Sequence, residues 1–406
     1  MRSKGFGAAG HKGSLFAALI HFDVSFMVWV LLGGLGAYVA SDLQLSPFQK
    51  GLMVAVPPLG GAFFRLLIGT LAERVGIKRT GLATMGLTFV PLLWGAFAGG
   101  TYAQVLGIGL LLGVAGASFA VALPLAGYWY PPEYRGLALG IAGAGNSGTI
   151  ITALAGPRIA EHVGWHGTFA LAMIPVGLAW VAFAILAKEP PRPVGSEPPR
   201  LTASIRLLGE ADARKLSAFY AVTFGGFVGL ASYLPIFFVD RFGLAKVTAA
   251  GYAGLCAAAG SFLRPVGGAL ADRFGGTRVL SGILAAVGGV GVALAFLPGL
   301  GMTVALLFLA IGCLGVGNGA VFGLVPERFP ARIGSITGLV GAAGGVGGFV
   351  LPFGLGSLAS AMGSFTPGFA CLAIAGAGAS VCAVRVEKSW RREPGRDLPS
   401  FQAAGA

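Results

Sequence analysis

Charge is scarce in this chain: of 406 residues, only 11% are Asp, Glu, Lys or Arg, while 55% are hydrophobic. Soluble domains carry roughly 25% charged residues, so this composition excludes an ordinary soluble protein. Cysteine is also rare, and Cys256, Cys313, Cys371 and Cys382 show neither CxxC nor CxxH spacing. That pattern argues against a disulfide framework or a zinc site. We therefore expect no metal and no cofactor.

Acidic residues are especially few, 15 against 28 basic ones, which gives a net charge of +13. Such a charge is typical of nucleic-acid-binding proteins. Here, however, the basic residues lie in short connections between apolar segments. That distribution is typical of membrane topology, so we expect no nucleic-acid partner.

Twelve apolar segments are long enough to cross a bilayer core of about 30 Å. They lie near 15–40, 51–72, 79–99, 102–129, 136–158, 166–187, 214–239, 246–271, 278–298, 301–325, 333–360 and 365–385. The first is too long for a cleaved signal peptide. The sequence thus predicts an all-α protein with twelve transmembrane helices, embedded in a lipid bilayer.

The basic residues also predict an orientation. If both termini are cytoplasmic, connections on that side hold 22 of the 28 Lys and Arg residues, and the outward connections hold only Lys50, Arg158, Arg241 and Lys246. Lys and Arg collect in cytoplasmic loops. An odd number of helices would destroy this alternation, which supports twelve.

The two halves of the chain repeat each other. Residues 61–79 align without gaps to 260–278 at an offset of 199, with nine of nineteen positions identical. The sequence therefore predicts a six-helix half at 1–187, a cytoplasmic linker at 188–213, a second half at 214–386 and a cytoplasmic tail at 387–406. Two parallel repeats of this kind place a site between them near the bilayer midplane.

One repeated motif lies between predicted helices 2 and 3. Gly69-x-Leu-Ala-Glu73-Arg74-x-Gly76-x-Lys78-Arg79 resembles the loop signature of the major facilitator superfamily, and 268–278 resembles its second copy. The resemblance implies a transporter that works by alternating access, and we expect a monomer. An acid beside several bases can hold the two halves together in one conformation. We predict such a latch from Glu73, Arg74, Arg79, Asp272, Arg273 and Arg278.

Two glycine-rich runs lie in predicted helices 5 and 11. The first contains Gly140, Gly143, Gly145, Asn146 and Gly148, and the second contains Gly338, Gly341, Gly344 and Gly345. The first resembles the signature of the nitrate/nitrite porter family, a likeness that extends over essentially the whole chain. It implies that Asn146 faces a nitrate or nitrite ion, whereas the second run departs from the pattern in having no asparagine. Small residues at this spacing also let helices approach closely and slide.

Two arginines lie inside predicted helices 2 and 8, at repeat-equivalent positions. An intramembrane arginine costs about 2.5–3.5 kcal/mol on insertion scales. Arg65 lies eight residues before Glu73, hence roughly 12 Å inside the membrane, and Arg264 shares that depth. Of the acidic residues only Asp23 could neutralise them. Because guanidinium offers paired donors in a plane, the pair predicts a site for a planar oxyanion.

Aromatic residues lie at the same depth. Tyr220 and Phe224 are four residues apart in predicted helix 7, hence on one face, and Phe119 lies in predicted helix 4. The family resemblance implies that Phe119 and Phe224 flank the flat anion and that Tyr220 hydrogen-bonds to it.

Asp23 in predicted helix 1 has two interpretations. It is a candidate proton carrier, and it could equally be a static counter-ion for Arg65. His21 matches Tyr220 at the offset of 199, which predicts that it faces the cavity and makes it a second candidate for proton coupling.

The leading hypothesis is uptake of nitrate, and of nitrite, by proton symport in a bacterial-type inner membrane. Nitrate/nitrite exchange or nitrite export is the alternative. A membrane-embedded enzyme would need a nucleophile–base pair or metal ligands at membrane depth, and the four histidines form no such set. A non-transporting anion sensor would bind nitrate without flux.

Overall fold

The computed structural model describes residues 6–190, 206–329 and 332–392. Within these ranges the chain is helical and contains no strand. Nine of the described helices are apolar and long enough to cross a membrane, and one of them, Tyr134–Leu186, is long enough for two crossings. The chain is therefore a multi-pass membrane protein. The predicted linker and tail fall largely on residues outside the described ranges.

The first half contains six spans, numbered as in the prediction. They are Lys12–Trp29 with Leu31–Gly34 and Gly36–Asp42 (span 1), Pro47–Val75 (span 2), Ile77–Phe97 (span 3), Tyr102–Gly116 with Phe119–Tyr128 (span 4), and Pro132–Gly143 followed by Gly148–Leu186 (spans 5 and 6). Gly164, with φ 71° and ψ 174°, breaks the last helix and separates spans 5 and 6. A 3-10 turn, Ala144–Ser147, interrupts span 5.

The second half contains the other six spans among the described residues. They are Ala211–Phe242 (span 7), Lys246–Phe274 (span 8), Gly276–Ala295 (span 9), Leu300–Arg328 (span 10), Ile333–Met362 (span 11) and Thr366–Arg391 (span 12). The all-α fold with twelve spans in two halves is thus confirmed.

Span 12 continues beyond the predicted boundary at 386, because tertiary contacts hold its last turn. The indole Nε1 of Trp390 donates to the Asp212 carboxylate at 2.9 Å, and Arg278 pairs with Glu387 at 3.2 Å. Span 7 likewise begins at Ala211, inside the predicted linker.

The repeat is visible in the backbone. Gly76, after span 2, has φ 118°, and Gly275, after span 8, has φ 88°. Glycine adopts positive φ at little cost, so the repeated motif forms the same tight turn twice. In the first copy the Glu189 carboxylate accepts hydrogen bonds from the backbone N–H groups of Ile77 and Lys78, at 2.6 and 2.9 Å.

We call the membrane face that carries the start of span 1 and the end of span 12 the basic face, and the other the opposite face. The two halves pack closely toward the opposite face. A Cβ atom on Gly33 would lie 2.7 Å from the Ser232 Cα, and one on Gly51 would lie 2.8 Å from the Gly356 Cα. These glycines let span 1 meet span 7 and span 2 meet span 11. The molecule is therefore closed on the opposite face.

Candidate functional site

A cavity of about 390 Å³ lies between the two halves and extends toward the basic face. Arg65, Phe119 and Phe322 line its inner end, and Glu73 and Arg135 line it near the basic face. With the opposite face closed, the cavity reaches the centre of the molecule from the basic face.

Arg65 is fully buried and held by backbone carbonyls from both halves. Its Nε donates to the Gly116 oxygen at 2.9 Å, and its Nη1 donates to the Gly341 oxygen at 2.6 Å. Span 4 is interrupted after Gly116, and the N–H of Ala120 bonds to Ala117 instead. That interruption leaves the Gly116 carbonyl available to the guanidinium.

Three aromatic rings surround the Arg65 guanidinium. Its Cζ lies 5.0 Å from the ring centroids of Trp29 and Phe224, and 5.7 Å from that of Phe119. The ring faces attract the cation at these distances. They also keep water away from it, so the arginine lies in an apolar, electropositive pocket.

Arg264 also contacts Phe119. Its Cζ is 5.8 Å from the Phe119 ring centroid and 5.6 Å from that of Phe322. Both guanidinium groups therefore contact the Phe119 ring. Among the described residues neither arginine pairs with a carboxylate, and the buried Nη2 of Arg65 and Nη1 of Arg264 have no hydrogen-bond partner.

Tyr220 and Phe224 belong to the same cluster. Their rings stack at 4.8 Å with planes 8° apart. The buried Tyr220 hydroxyl lies within electrostatic range of both Arg65 and Arg264 and makes no hydrogen bond of ordinary geometry. The structure thus gathers both predicted arginines and all three predicted aromatic residues.

Asn146 lies in the 3-10 turn of span 5. It is buried, and both atoms of its side-chain amide lack a hydrogen-bond partner among the described residues. Its backbone oxygen accepts from Ser261, which lies one turn before Arg264 in span 8. This contact brings the turn next to the arginine.

Phe119 and Phe322 separate the open cavity from the rest of the cluster. Their rings meet edge to face at 5.3 Å, and Phe322 also contacts the Tyr220 ring at 4.9 Å. Asn146 and Arg264 are buried and lie outside the cavity lining. A ligand moving up from the basic face therefore meets the phenylalanine pair before it meets Arg264.

Asp23 makes no ion pair with Arg65. Its carboxylate accepts a hydrogen bond from the Ser147 hydroxyl at 2.6 Å, at the interruption of span 5. The structure therefore argues against the counter-ion interpretation.

In this structure His21 does not line the cavity, and its role in proton coupling stays a prediction. Its ring packs 5.0 Å from Phe183 of span 6, inside the first half. Phe22 and Phe26 face the site instead, at 5.7 Å from Phe119 and 6.4 Å from Phe224. They are four residues apart and share a face, whereas His21 is rotated about 100° from Phe22.

The glycines of the two runs differ in their surroundings. A Cβ on Gly145 would meet the Phe22 side chain, one on Gly148 the Asp23 and Met27 backbone, one on Gly344 the Tyr220 ring and one on Gly345 the Pro58 backbone. Gly341 borders Arg65 and Phe119. Gly140, Gly143 and Gly338 face open space and do not pack here.

Two of the predicted latch residues, Glu73 and Arg278, make no ion pair between the halves among the described residues. Glu73 lines the open cavity, and Arg278 pairs with Glu387 of its own half. The other ion pairs described on this face also lie within the second half. The latch stays a prediction for a conformation in which the basic face is shut.

Three residues were not predicted. Trp29 and Phe322 contact the arginines, and Asn318 is buried in span 10 with both amide atoms unpartnered among the described residues. The repeat could have found Asn318, because it matches Phe119 at the offset of 199 and precedes Phe322 by one turn.

Two six-span halves around a central cavity with buried, unpaired cations define a membrane transporter and not an enzyme. The model of the Major Facilitator Superfamily matches residues 17–352. The chain is 37% identical over 355 residues to the probable nitrate/nitrite transporter NarK2 of Mycobacterium tuberculosis, covering 86% of this chain and 89% of that protein. It is 34% identical over 353 residues to the nitrite extrusion protein of Bacillus subtilis, covering 86% and 87%. The chain belongs to the nitrate/nitrite porter family of the major facilitator superfamily.

A solved structure supports the fold. A bacterial homologue of the human lysosomal transporter Spinster, in an inward-facing and occupied conformation, superimposes with a TM-score of 0.68 at 18% identity. The match covers 95% of this chain and 98% of that one.

Proposed function

We propose that this protein carries nitrate, and also nitrite, across the membrane by alternating access, with proton symport as the driving reaction. One observation carries the proposal: Arg65 and Arg264 each keep a buried, unpartnered N–H group, with no carboxylate beside them among the described residues. The names of the relatives support the choice of anion.

The donor set suits a small planar oxyanion. An unpaired buried charge is costly, and an anion between the two guanidinium groups would relieve that cost for both. Guanidinium donors lie in one plane and match delocalised oxygen atoms. The side chains of Tyr220 and Asn146 add neutral donors, and Phe119 and Phe224 offer flat faces to the flat ion.

Alternating access follows from the contacts between the halves. Arg65 of the first half already bonds to Gly341 of the second. An anion held by Arg65 and Arg264 adds a second link between halves and favours closure of the cavity. We propose that the latch residues then meet on the basic face, while the glycine contacts on the opposite face separate.

Asp23 is the proposed proton carrier. Its hydrogen bond to Ser147 joins it to the same turn as Asn146. Protonation removes the charge that favours this hydrogen bond, so the turn and Asn146 would shift together. Proton binding and anion binding are thereby connected through Ser147 and its neighbour Asn146.

Exchange of nitrate for nitrite, or export of nitrite, is the second candidate. A relative named as a probable nitrate/nitrite antiporter favours exchange, and one named as a nitrite extrusion protein favours export. We further propose that the protein works as a monomer in a bacterial inner membrane. The basic face is then cytoplasmic, as the distribution of Lys and Arg indicates.

Flux of labelled nitrate into proteoliposomes tests the proposal. We expect Arg65→Lys and Arg264→Lys to lower uptake on the order of 10- to 100-fold, because lysine keeps the charge and loses the paired hydrogen bonds. Arg158→Lys, an exposed arginine on the opposite face, is the matched control. Full activity in both lysine variants refutes the anion clamp, and uptake that needs internal nitrite but no pH gradient refutes symport.

A further inference from the structure

A second cavity, of about 320 Å³, lies on the opposite face where the two halves meet. Spans 1 and 2 and their connection supply one wall, and spans 7 and 8 supply the other. Its polar lining consists of Ser41, Gln44, Lys50, Asp240 and Lys246. Two of the four basic residues on this face therefore line one cavity, against a single carboxylate.

The two lysines differ in their partners. The Nζ of Lys50 lies 2.8 and 2.9 Å from the two carboxylate oxygens of Asp240. The Nζ of Lys246 lies 4.7 Å from the ring centroid of Tyr38 and makes no ion pair with a described residue. The aromatic face leaves the ammonium protons of Lys246 free to meet an anion.

The Lys50–Asp240 pair also joins the two halves. Lys50 is in the first turn of span 2, and Asp240 is near the end of span 7. On the opposite face it is the only ion pair between halves in the described part of the chain. It lies over the glycine contacts that close this face, since Gly36 and Ile236 approach one turn further in.

We propose that this cavity is a docking site for a small monovalent oxyanion, which arrives here before the transporter opens. The inference rests on the proposed function, because the docked ion is the one to be transported. The anion binds Lys246 first and then competes with Asp240 for Lys50. Spans 2 and 8 both begin at this cavity, and their N-terminal dipoles favour a negative ion there. Separation of Lys50 from Asp240 removes the ionic link between the halves, so arrival of the anion promotes opening.

Flux measurements give the first test. We expect Lys246→Gln to raise the half-saturating nitrate concentration on the opposite face about fivefold at low salt, as loss of one charge contact near water predicts. The maximal rate stays unchanged, Lys246→Arg restores the wild-type value, and added neutral salt reduces the difference. Arg158→Gln, on the same face but outside the cavity lining, leaves the constant unaltered. An unchanged constant in Lys246→Gln overturns the proposal.

Labelling gives a second test that does not require transport. The purified protein is treated with an uncharged amine-acylating reagent, with sodium nitrate or with an equal ionic strength of sodium gluconate. Peptide mass spectrometry then compares Lys246 with the exposed Lys12 on the basic face. We expect nitrate to slow the labelling of Lys246 at least threefold and to leave Lys12 unaffected.

The two tests separate the possible failures. Protection of Lys246 without nitrate flux in the wild type keeps the docking site and refutes the proposed function. Flux that depends on Arg65 and Arg264, with no protection of Lys246, keeps the function and refutes the docking site.

Discussion

The guanidinium of Arg65 donates a 2.6 Å hydrogen bond to the carbonyl oxygen of Gly341, in the opposite half of the molecule. The nearest atom to a Cβ on Gly341 is the Cδ of Arg65 itself, at 3.6 Å. The second glycine run is therefore part of the wall of the arginine pocket as well as a packing surface. We therefore expect Gly→Ala substitutions in this run to differ widely in their effect on stability.

Gly344→Ala tests the packing part of that run. Its Cβ would lie 2.6 Å from the Tyr220 ring and 2.8 Å from the Phe224 ring, so the site has to distort at a cost of about 1–3 kcal/mol. We expect a lower melting temperature in detergent and loss of nitrate uptake. Gly338→Ala, which faces open space, is the control and should keep the wild-type melting temperature. Equal stability of the two variants contradicts this structural assignment.

Phe119→Leu tests the ring that both guanidinium groups contact. Leucine removes two cation–π contacts, each worth about 0.5–2 kcal/mol, so both guanidinium groups lose a contact that holds them in position. We expect nitrate affinity to fall by at least tenfold in equilibrium binding. Phe262→Leu, a lipid-side ring that is 68% exposed, should bind nitrate normally. A Phe119 variant with wild-type affinity would show that the ring only fills space.

Asn318→Leu tests the buried amide that the sequence interpretation missed. Replacing an unsatisfied polar side chain by an apolar one of similar size is neutral or stabilising for the fold. We therefore expect an unchanged or higher melting temperature together with weaker nitrate binding. If binding is unchanged, Asn318 has no part in the site.

Asp23→Asn tests proton coupling. The amide can still hydrogen-bond to Ser147 but cannot carry a proton charge. We expect uptake driven by a pH gradient to disappear, while exchange of internal for external nitrate continues. Ser147→Ala keeps the carboxylate but breaks its hydrogen bond to the turn, so it should weaken the response to the pH gradient while nitrate exchange continues. Gradient-driven uptake in Asp23→Asn would exclude Asp23 as the carrier.

Asp212→Asn tests the contacts that extend span 12. Asp212 accepts hydrogen bonds from Lys215, Arg328 and Trp390, and Arg328 is nearly buried. We expect the free energy of unfolding to fall by about 1–3 kcal/mol, less than for a fully buried ion pair. Nitrate affinity should not change. Glu210→Gln breaks a much more exposed pair with Arg332 and should cost less than about 1 kcal/mol. Differential scanning calorimetry of the two variants measures the two losses of stability.

The membrane spans and the arginine pair could be predicted because their signals are local and large. A charged residue in an apolar segment costs several kcal/mol to insert into the membrane, so its presence indicates a function. The repeat placed Arg65 and Arg264 at one depth. Phe119 required the family resemblance in addition.

The surroundings of Asp23 and His21 could not be predicted in the same way. They depend on the rotation of span 1 about its axis, which the packing of Phe22 and Phe26 against the site determines. Span 12 extends past its apolar segment because Trp390 finds Asp212, 178 residues away in sequence. Contacts between residues so far apart in sequence leave no periodic pattern in the amino-acid sequence.

Span 5 is interrupted by the 3-10 turn Ala144–Ser147, whereas its repeat partner, span 11, is a continuous helix from Ile333 to Met362. The two repeats therefore differ: one contains an interrupted helix and the other a continuous helix. A helix bends more easily where its regular hydrogen bonds are interrupted. We therefore expect bending of span 5 to govern the turnover rate, while span 11 maintains the alignment of the two halves. Amide hydrogen exchange at the two spans would then differ in rate, although their ancestral segments were the same.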